Sequence, residues 1–440
     1  MTNSPTINVI GAGLAGCEAA WAAANSGCFV KLYEMKGEKM TPAHSNPDFA
    51  ELVCSNSLRS EQEDTASGLL KQEMTHLGSL VLEAARATRV PAGGALSVDR
   101  ERFAAYITAK IRSHPNIQVR DNVEVTAIDL ADITVIATGP LTSDSLSEFI
   151  SQYLAPEKLH FFDAAAPIIE ADSIDMTRVF AASRYDKGGA DYLNCAMNEE
   201  EYAAFLRELL SARLAELKDF DRQAQGDLQV FEGCMPVEVL ASRGERSLLF
   251  GPLKPVGLTD PRTGRRPCAV VQLRKENLDA TCYNLVGFQT RLAFSEQKRV
   301  FRMIPGLENA EFLRYGVMHR NTYLNSPGML AADYSMVARP NIFFAGQITG
   351  VEGYVESASS GVVAGLNAAR RAAEQESTIF PNTTMIGALA HYVSGYAGGK
   401  FQPSNANFGI IRPLDQHIRR KAERNGAYVK RAMEELTANR

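Results

Sequence analysis

No apolar run in this 440-residue chain reaches the ~20 residues that a membrane span requires. The first residues, MTNSPTINVIGAG, lack the basic start and apolar core of a secretion signal. Cys17, Cys28, Cys54, Cys195, Cys234, Cys268 and Cys282 form no C-x-x-C pair and number an odd seven. A disulfide framework is therefore not expected, and with the missing signal the chain is expected in a reducing cytoplasm. Seven histidines are scattered, so no zinc spacing can be built and no metal site is expected. A net charge of −5 gives no overall pull on nucleic acid, so any RNA contact would need a local basic face. What is present is a soluble globular composition, 45% hydrophobic and 22% charged, long enough for two or three domains. No repeats or low-complexity tracts interrupt it.

The clearest signal lies near the start. TINVI (6–10) reads as a short buried parallel strand, followed at once by GAGLAG (11–16), a G-x-G-x-x-G turn. LAGCEAAWAAANS then has helical composition with Gly27 suited to its C-terminal cap, and CFVKLYE is a second strand ending in Glu34. In such a unit Gly11 allows the tight turn, Gly13 lets the backbone approach a pyrophosphate, and Gly16 lets helix and strand pack closely. Ala12, Leu14 and Ala15 complete the turn and the helix start, whose free N–H groups suit phosphates. Glu34 is placed to accept hydrogen bonds from ribose hydroxyls. Together these predict a Rossmann-like dinucleotide site.

Two later segments favour FAD over other dinucleotides. DITVIATGP (132–140) is an apolar strand ending in Ala-Thr-Gly, as where the chain returns to the nucleotide in flavoproteins. PNIFFAGQITGVEGYVESASSGVVAGLNAAR (340–370) reads as strand, glycine-rich turn and small-residue helix. Flavoproteins commonly bring such a helix end towards the cofactor. Where many carry Ala-Gly-Asp, this turn has Ala345, Gly346 and Gln347. Nucleotide elements at both ends of the chain predict a discontinuous FAD-binding domain, 1–160 with 331–440, in the glutathione-reductase-type α/β arrangement. Residues 161–330 are then an inserted, smaller α+β domain.

Within the insertion, MNEEEYAAFLRELLSARLAELKDF (197–220) reads as an amphipathic helix capped by Asn198. Arg262–Arg302 and the tail from Arg412 to Arg440 are both rich in Lys and Arg. Composition alone favours solvated faces with counter-charges elsewhere in the fold, and a phosphate-contacting surface is the alternative. CSNSLRS (54–60) and MHRNTYLNSP (318–327) are polar clusters of the kind expected in loops. Cys54, and Cys234 in FEGCMPVEVL, stand open between two roles, a small buried side chain or a reactive sulfur.

Over residues 9–409 the chain resembles the bacterial folate- and FAD-dependent tRNA (uracil-54-C5) methyltransferase family. The likeness is carried by VIGAGLAGCEAAW, VCSNSLRS, DAAAPI, SRYDKGG, FEGCMPVEV, KPVGLTDPRTGRRP, YNLVGFQT, PGLENAEFLRYGVMHRNTYLNSP, FFAGQITGVEGYVESA and FQPSNANFG. The resemblance implies that 5,10-methylenetetrahydrofolate gives the one-carbon unit, that NADH or NADPH supplies reducing equivalents through FAD, and that the T-arm of tRNA is the substrate. It implies Cys234 as the nucleophile that adds to uracil C6, and Cys54 as a second cysteine near the flavin. SRYDKGG and MHRNTY are the stretches expected to meet folate. No obligate protein partner is evident. Two alternatives stay open: an NAD(P)H-dependent flavin oxidoreductase acting on a small molecule, and the same chemistry on ribosomal RNA.

Overall fold

The computed structural model describes residues 6–37, 39–41, 43–155, 158–164, 166–186, 189–215, 235–316, 318–396 and 401–438. Strands β1 (Thr6–Ile10), β2 (Phe29–Tyr33), β6 (Ile117–Arg120), β7 (Thr134–Ile136) and β16 (Ile342–Phe344) form a parallel sheet in the order β16-β7-β1-β2-β6. Residues from near the start and from beyond position 340 are thus neighbours in one sheet. The Rossmann-like α/β expectation holds.

Helix α1 (Leu14–Asn25) follows β1 and ends as expected, with Gly27 at φ +89° just beyond it. Across α1 lies a long helix, Tyr354–Ala372 (α9). A Cβ on Gly361 would stand 2.2 Å from the Ala15 carbonyl oxygen, and one on Gly365 would stand 2.4 Å from that of Ala19. The two helices therefore touch backbone to backbone, a separation that only glycine permits on the α9 side. Helix α5 (Asp144–Tyr153) covers the other side of the sheet with Leu146 and Ile150, beside Ile10 and Ile136.

Buried carboxylates tie the surrounding helices together. Glu18 on α1 accepts from Leu80 N–H at 3.2 Å and Val81 N–H at 2.9 Å, at the start of α3 (Leu80–Ala87). Glu73 on α2 (Ala66–His76) accepts from Met385 N–H at 2.8 Å and Ile386 N–H at 2.7 Å, at the start of α10 (Met385–Gly395). Each puts an anion at a positive helix end and satisfies two orphan donors. Burial nevertheless pushes both carboxyls up to about 7, against those hydrogen bonds. Helix α11 (Lys421–Ala438) is held beside α2 by Asn425, whose amide donates to the Asp64 carbonyl at 2.9 Å.

The middle of the chain builds a second, antiparallel sheet in the order β10-β11-β12-β13-β9-β14. Its strands are β9 (Ile168–Glu170), β10 (Val179–Ala181), β11 (Tyr192–Met197), β12 (Ala269–Lys275), β13 (Cys282–Leu285) and β14 (Phe312–Arg314). Helices α6 (Glu199–Ser211), α7 (Val237–Ser242) and α8 (Phe294–Phe301) pack on it through Phe205, Val237 and Phe301. Asn198 caps α6 as expected, in a reciprocal box with Glu201. The helix ends at Ser211, short of position 220, because the chain beyond it pairs with residues 291–293. Ala215 N–H donates to Arg291 O at 2.8 Å, and Ala293 N–H donates to Arg213 O at 3.0 Å.

Two small ribbons join the layers. One is β3 (Ser57–Ser60), β5 (Ala95–Val98) and β4 (Arg89–Val90), and the other pairs β8 (Lys158–Ala164) with β15 (Met318–Leu324). Much of MHRNTYLNSP, expected as loop, is therefore strand. Its pairing partner lies far upstream, where a local composition signal cannot see it. Among the described residues no helix is long and apolar enough to cross a membrane.

Gly361→Ala should lower stability by about 2 kcal/mol, the scale of overpacking a dense contact, read as an earlier midpoint in denaturant. Glu73 should make stability fall as pH rises from its unfolded value towards about 7, because the native state binds the extra proton there. The slope is at most about 1.4 kcal/mol per pH unit. Glu73→Gln, compared with wild type by denaturant unfolding at several pH values, should remove the Glu73 share of the slope and leave that of Glu18; an unchanged slope would contradict the assignment.

Candidate cofactor cleft and the Cys54 loop

The cleft opens where β1, β2 and β7 end. Gly11 takes φ +94°, and a Cβ there would stand 2.8 Å from the Ala137 carbonyl oxygen. A Cβ on Gly16 would stand 1.7 Å from the Gly11 carbonyl oxygen, so Gly16 shapes the turn and does not line the cleft. Gly13 faces open space, as a residue that must admit a ligand should. Gly11, Gly13, Leu14 and Ala15 line the cleft from one side, and Gly346 and Gln347 from the other. Ala12 turns inward, and its N–H donates to the Glu34 carboxylate at 2.7 Å. The same carboxylate accepts from Lys36 N–H at 2.8 Å, which fixes it at the mouth of the glycine turn.

Side-chain caps close several helix starts that lie away from this cleft, although α5, α7 and α8 also start without one. Thr65, Ser79, Asp99, Asn198 and Thr384 each cap a helix start with a side-chain acceptor; Asp99 serves α4 (Arg100–Ser113). Helices α1 and α9 instead begin at Gly13 and Gly353, with no capping side chain. The α1 start faces the cleft, where its positive end suits the phosphates of an anionic dinucleotide, while the first turn of α9 carries its own acid, the buried Glu356. The cleft and its open mouth together span about 1090 Å³. The residues present fit FAD.

The far rim carries Thr41, His44 and Glu51. Burial, with Lys36 nearby, pulls His44 below its ordinary pKa against the pull of Glu51. Thr41 Oγ1 lies 2.5 Å from its Nδ1.

Tyr354, the first residue of α9, lines the cleft and reaches out of it to Cys54. Its hydroxyl oxygen accepts from Cys54 N–H at 2.8 Å and from Ser55 N–H at 3.2 Å, and lies 2.9 Å from Cys54 Sγ. With both acceptor directions used, the hydroxyl proton is left to donate to the sulfur. Burial pushes the phenol well above its ordinary pKa, so that proton stays in place. The loop is held from other directions too. Arg100 donates to the Leu52 carbonyl at 2.5 Å, and Arg274 donates to Asn56 Oδ1 and Ser55 Oγ, each at 2.8 Å.

Cys54 thus stands half-buried at the edge of the cleft. Arg59, its cationic neighbour in sequence, turns to Glu356 at 3.4 Å. Cys17 and Cys195 are core residues whose thiols burial pushes far up. Cys234 lies outside the described residues, as does part of SRYDKGG. The chain right after it is fixed: Val237 N–H donates to Gln289 O at 2.7 Å, and buried Glu238 accepts from Thr290 and Arg291, each at 2.9 Å. Sequence reading missed Arg100, Arg274 and the Tyr354 hydroxyl, which come from three distant segments.

The basic segment of the insertion is largely neutralised by counter-charges. Arg262 pairs with Asp260 at 2.7 Å, Arg299 with Glu208 at 2.5 Å and Glu296 at 2.7 Å, and Arg302 with Glu311 at 2.8 Å. Arg274 is buried. Arg265 and Arg266 are exposed, as are Arg419 and Lys421 in the tail.

The chain matches the family model described as glucose inhibited division protein A over residues 6–376. A relative from Acetivibrio thermocellus, named methylenetetrahydrofolate–tRNA-(uracil-5-)-methyltransferase TrmFO, is 58% identical over 98% of this chain and 97% of its own. A relative of the same name from Lactiplantibacillus plantarum is 56% identical over 99% and 98%. Among solved structures, GidA of Aquifex aeolicus superposes with a TM-score of 0.70 at 17% identity. That match covers 100% of this chain and 74% of that one, and it shows the shared fold.

Glu34→Ala should weaken FAD binding about tenfold, the worth of a hydrogen bond to a charged acceptor. Titration of the apoprotein by flavin fluorescence would show it, and an unchanged affinity would remove Glu34 from the site.

Proposed function

This chain belongs to the glucose inhibited division protein A family and, within it, to the methylenetetrahydrofolate–tRNA-(uracil-5-)-methyltransferases, and from that premise we propose that it methylates uridine C5 at position 54 of the tRNA T-loop. The observation that carries this reading is identity above one half over nearly the whole chain. The cleft supports it, since two glycine-started helices and Glu34 suit FAD, with a cysteine at the edge. We assign the FAD-binding unit to 1–160 and 331–440, and the inserted unit to 161–330.

When bound, FAD passes reducing equivalents from NADH or NADPH to a one-carbon unit that comes from 5,10-methylenetetrahydrofolate. Everything else falls to the chain. Uracil C5 is a poor nucleophile until something adds at C6. The Cys234 thiolate adds there, placing electron density on C5, which forms the new carbon–carbon bond to the one-carbon unit, whose bond to its carrier nitrogen then breaks. The C5 proton passes to solvent, elimination of the sulfur frees Cys234, and the two electrons that came from NADH or NADPH leave a methyl group. Cys54 works at the flavin side. The target uridine has to leave its stacked position in the T-loop, at a cost of a few kcal/mol. Exposed Arg265, Arg266, Arg419 and Lys421 are suited to hold the RNA backbone meanwhile. The reaction belongs in the cytoplasm.

The test is incubation with FAD, NADPH, methylenetetrahydrofolate labelled in its methylene carbon, and an unmodified T-arm transcript, followed by nucleoside analysis. Label should enter 5-methyluridine with wild type and fall about 100-fold or more with Cys234→Ala. NADPH oxidation without label in any uridine would instead favour a small-molecule reductase. Label into ribosomal RNA alone would move the substrate.

A further inference from the structure

The Cys54 loop is gripped by groups that no function proposed above requires. Arg274 rises from β12 in the second sheet and is only 6% exposed. Its recorded side-chain hydrogen bonds go to neutral oxygens, Asn56 Oδ1 and Ser55 Oγ. Asn56 returns the contact, its amide donating to the Lys275 carbonyl at 2.9 Å, so the grip runs in both directions. The nearest acid on the same strand end, Glu276, is already taken: it pairs with Arg100 at 2.9 Å.

Charge of both signs crowds the loop. Arg100 on α4, Arg274 on β12, Arg314 on β14 and Arg59 in β3 face Glu51, Glu276 and Glu356. Lys71 and Glu61 stand beside Arg59, and Asp191 and Arg184 beside Tyr192, while Tyr354 and Tyr192 themselves carry no charge near neutral pH. A buried guanidinium that bonds only neutral oxygens, as Arg274 does, is costly unless an anion joins it. Burial indeed lowers the Arg274 pKa, against the pull of Glu276. The group able to supply an anion is Cys54, whose sulfur already faces the Tyr354 hydroxyl proton.

We propose that Arg274 is a positioning residue that, with Arg100 and the Tyr354 hydroxyl, holds Cys54 as a thiolate at the edge of the cofactor cleft. The assignment rests on reading Cys54 as part of the reaction site. The thiol proton goes to solvent, and no other bond forms or breaks. Because Arg274 belongs to the second sheet and Cys54 to the segment after β2, the ionised sulfur requires that the two layers stay docked. A free thiol titrates at about 8.5, and neighbouring cations depress that value.

The experiment is iodoacetamide alkylation of the FAD-loaded enzyme at a series of pH values, with the Cys54 peptide followed by mass spectrometry. In wild type the rate should reach half its maximum about one pH unit or more below the free-thiol value. Arg274→Gln should move that midpoint up by about one unit, a tenfold loss of thiolate at neutral pH. Arg274→Lys, which keeps the charge, should restore most of it, whereas a purely structural role would leave both variants alike. A wild-type midpoint at or above the free-thiol value overturns the proposal, and so does an equal midpoint in wild type and Arg274→Gln. If Arg274→Gln fails to retain flavin, Tyr354→Phe takes its place, with the same upward shift expected and an unchanged midpoint counting against the proposal. Alkylation needs neither RNA nor folate, so a failed methylation assay beside a depressed midpoint would sink the function and leave this inference standing.

Discussion

The backbone contact between α1 and α9 is the constraint on which the site depends. Gly361 and Gly365 let α9 lie directly on the carbonyls of Ala15 and Ala19. With that spacing, the starts of both helices fall at one cleft, each beginning at a glycine with no side-chain cap. The same contact sets where Tyr354 stands, because it is the first residue of α9. Its hydroxyl can then satisfy two backbone donors of the Cys54 loop and still offer its proton to the sulfur. A helix moved outward by even one methyl group would shift cofactor contacts and the Cys54 geometry together.

Features governed by neighbours in sequence are legible in the sequence itself. The glycine turn, the position of Glu34 at the end of β2, Gly27 after α1 and the Asn198 cap all follow from local stereochemistry. The strand in MHRNTYLNSP was not legible, because it exists only by pairing with Lys158–Ala164. The early end of α6 has a similar cause, since residues 213–215 pair with 291–293 in place of continuing the helix. The Cys54 surroundings are the extreme case. Arg100, Arg274 and Tyr354 carry no shared motif, and the fold alone brings them to one loop.

Charge was legible as a count and not as a field. The Arg-rich insertion segment meets Glu208 and Glu311 from elsewhere in the fold, so little of its sequence charge is free to act at a distance. Conversely, two acids that look like ordinary helix residues, Glu18 and Glu73, sit buried at the starts of other helices. Part of the electrostatic organisation is therefore inward, binding helix ends and one loop. The cations near Arg265 and Lys421 face outward.

The order of synthesis gives the discontinuous sheet a further meaning. A ribosome releases the glycine turn first and α9 hundreds of residues later, tens of seconds apart at ordinary elongation rates. Until α9 emerges, β7 lacks its neighbour β16, and the cleft lacks its second helix end. Strand β1 and helix α1 meanwhile present apolar faces with no final partner. Cofactor capture is therefore a late event in the life of the nascent chain, and a flavin-bound molecule is one whose translation is nearly complete.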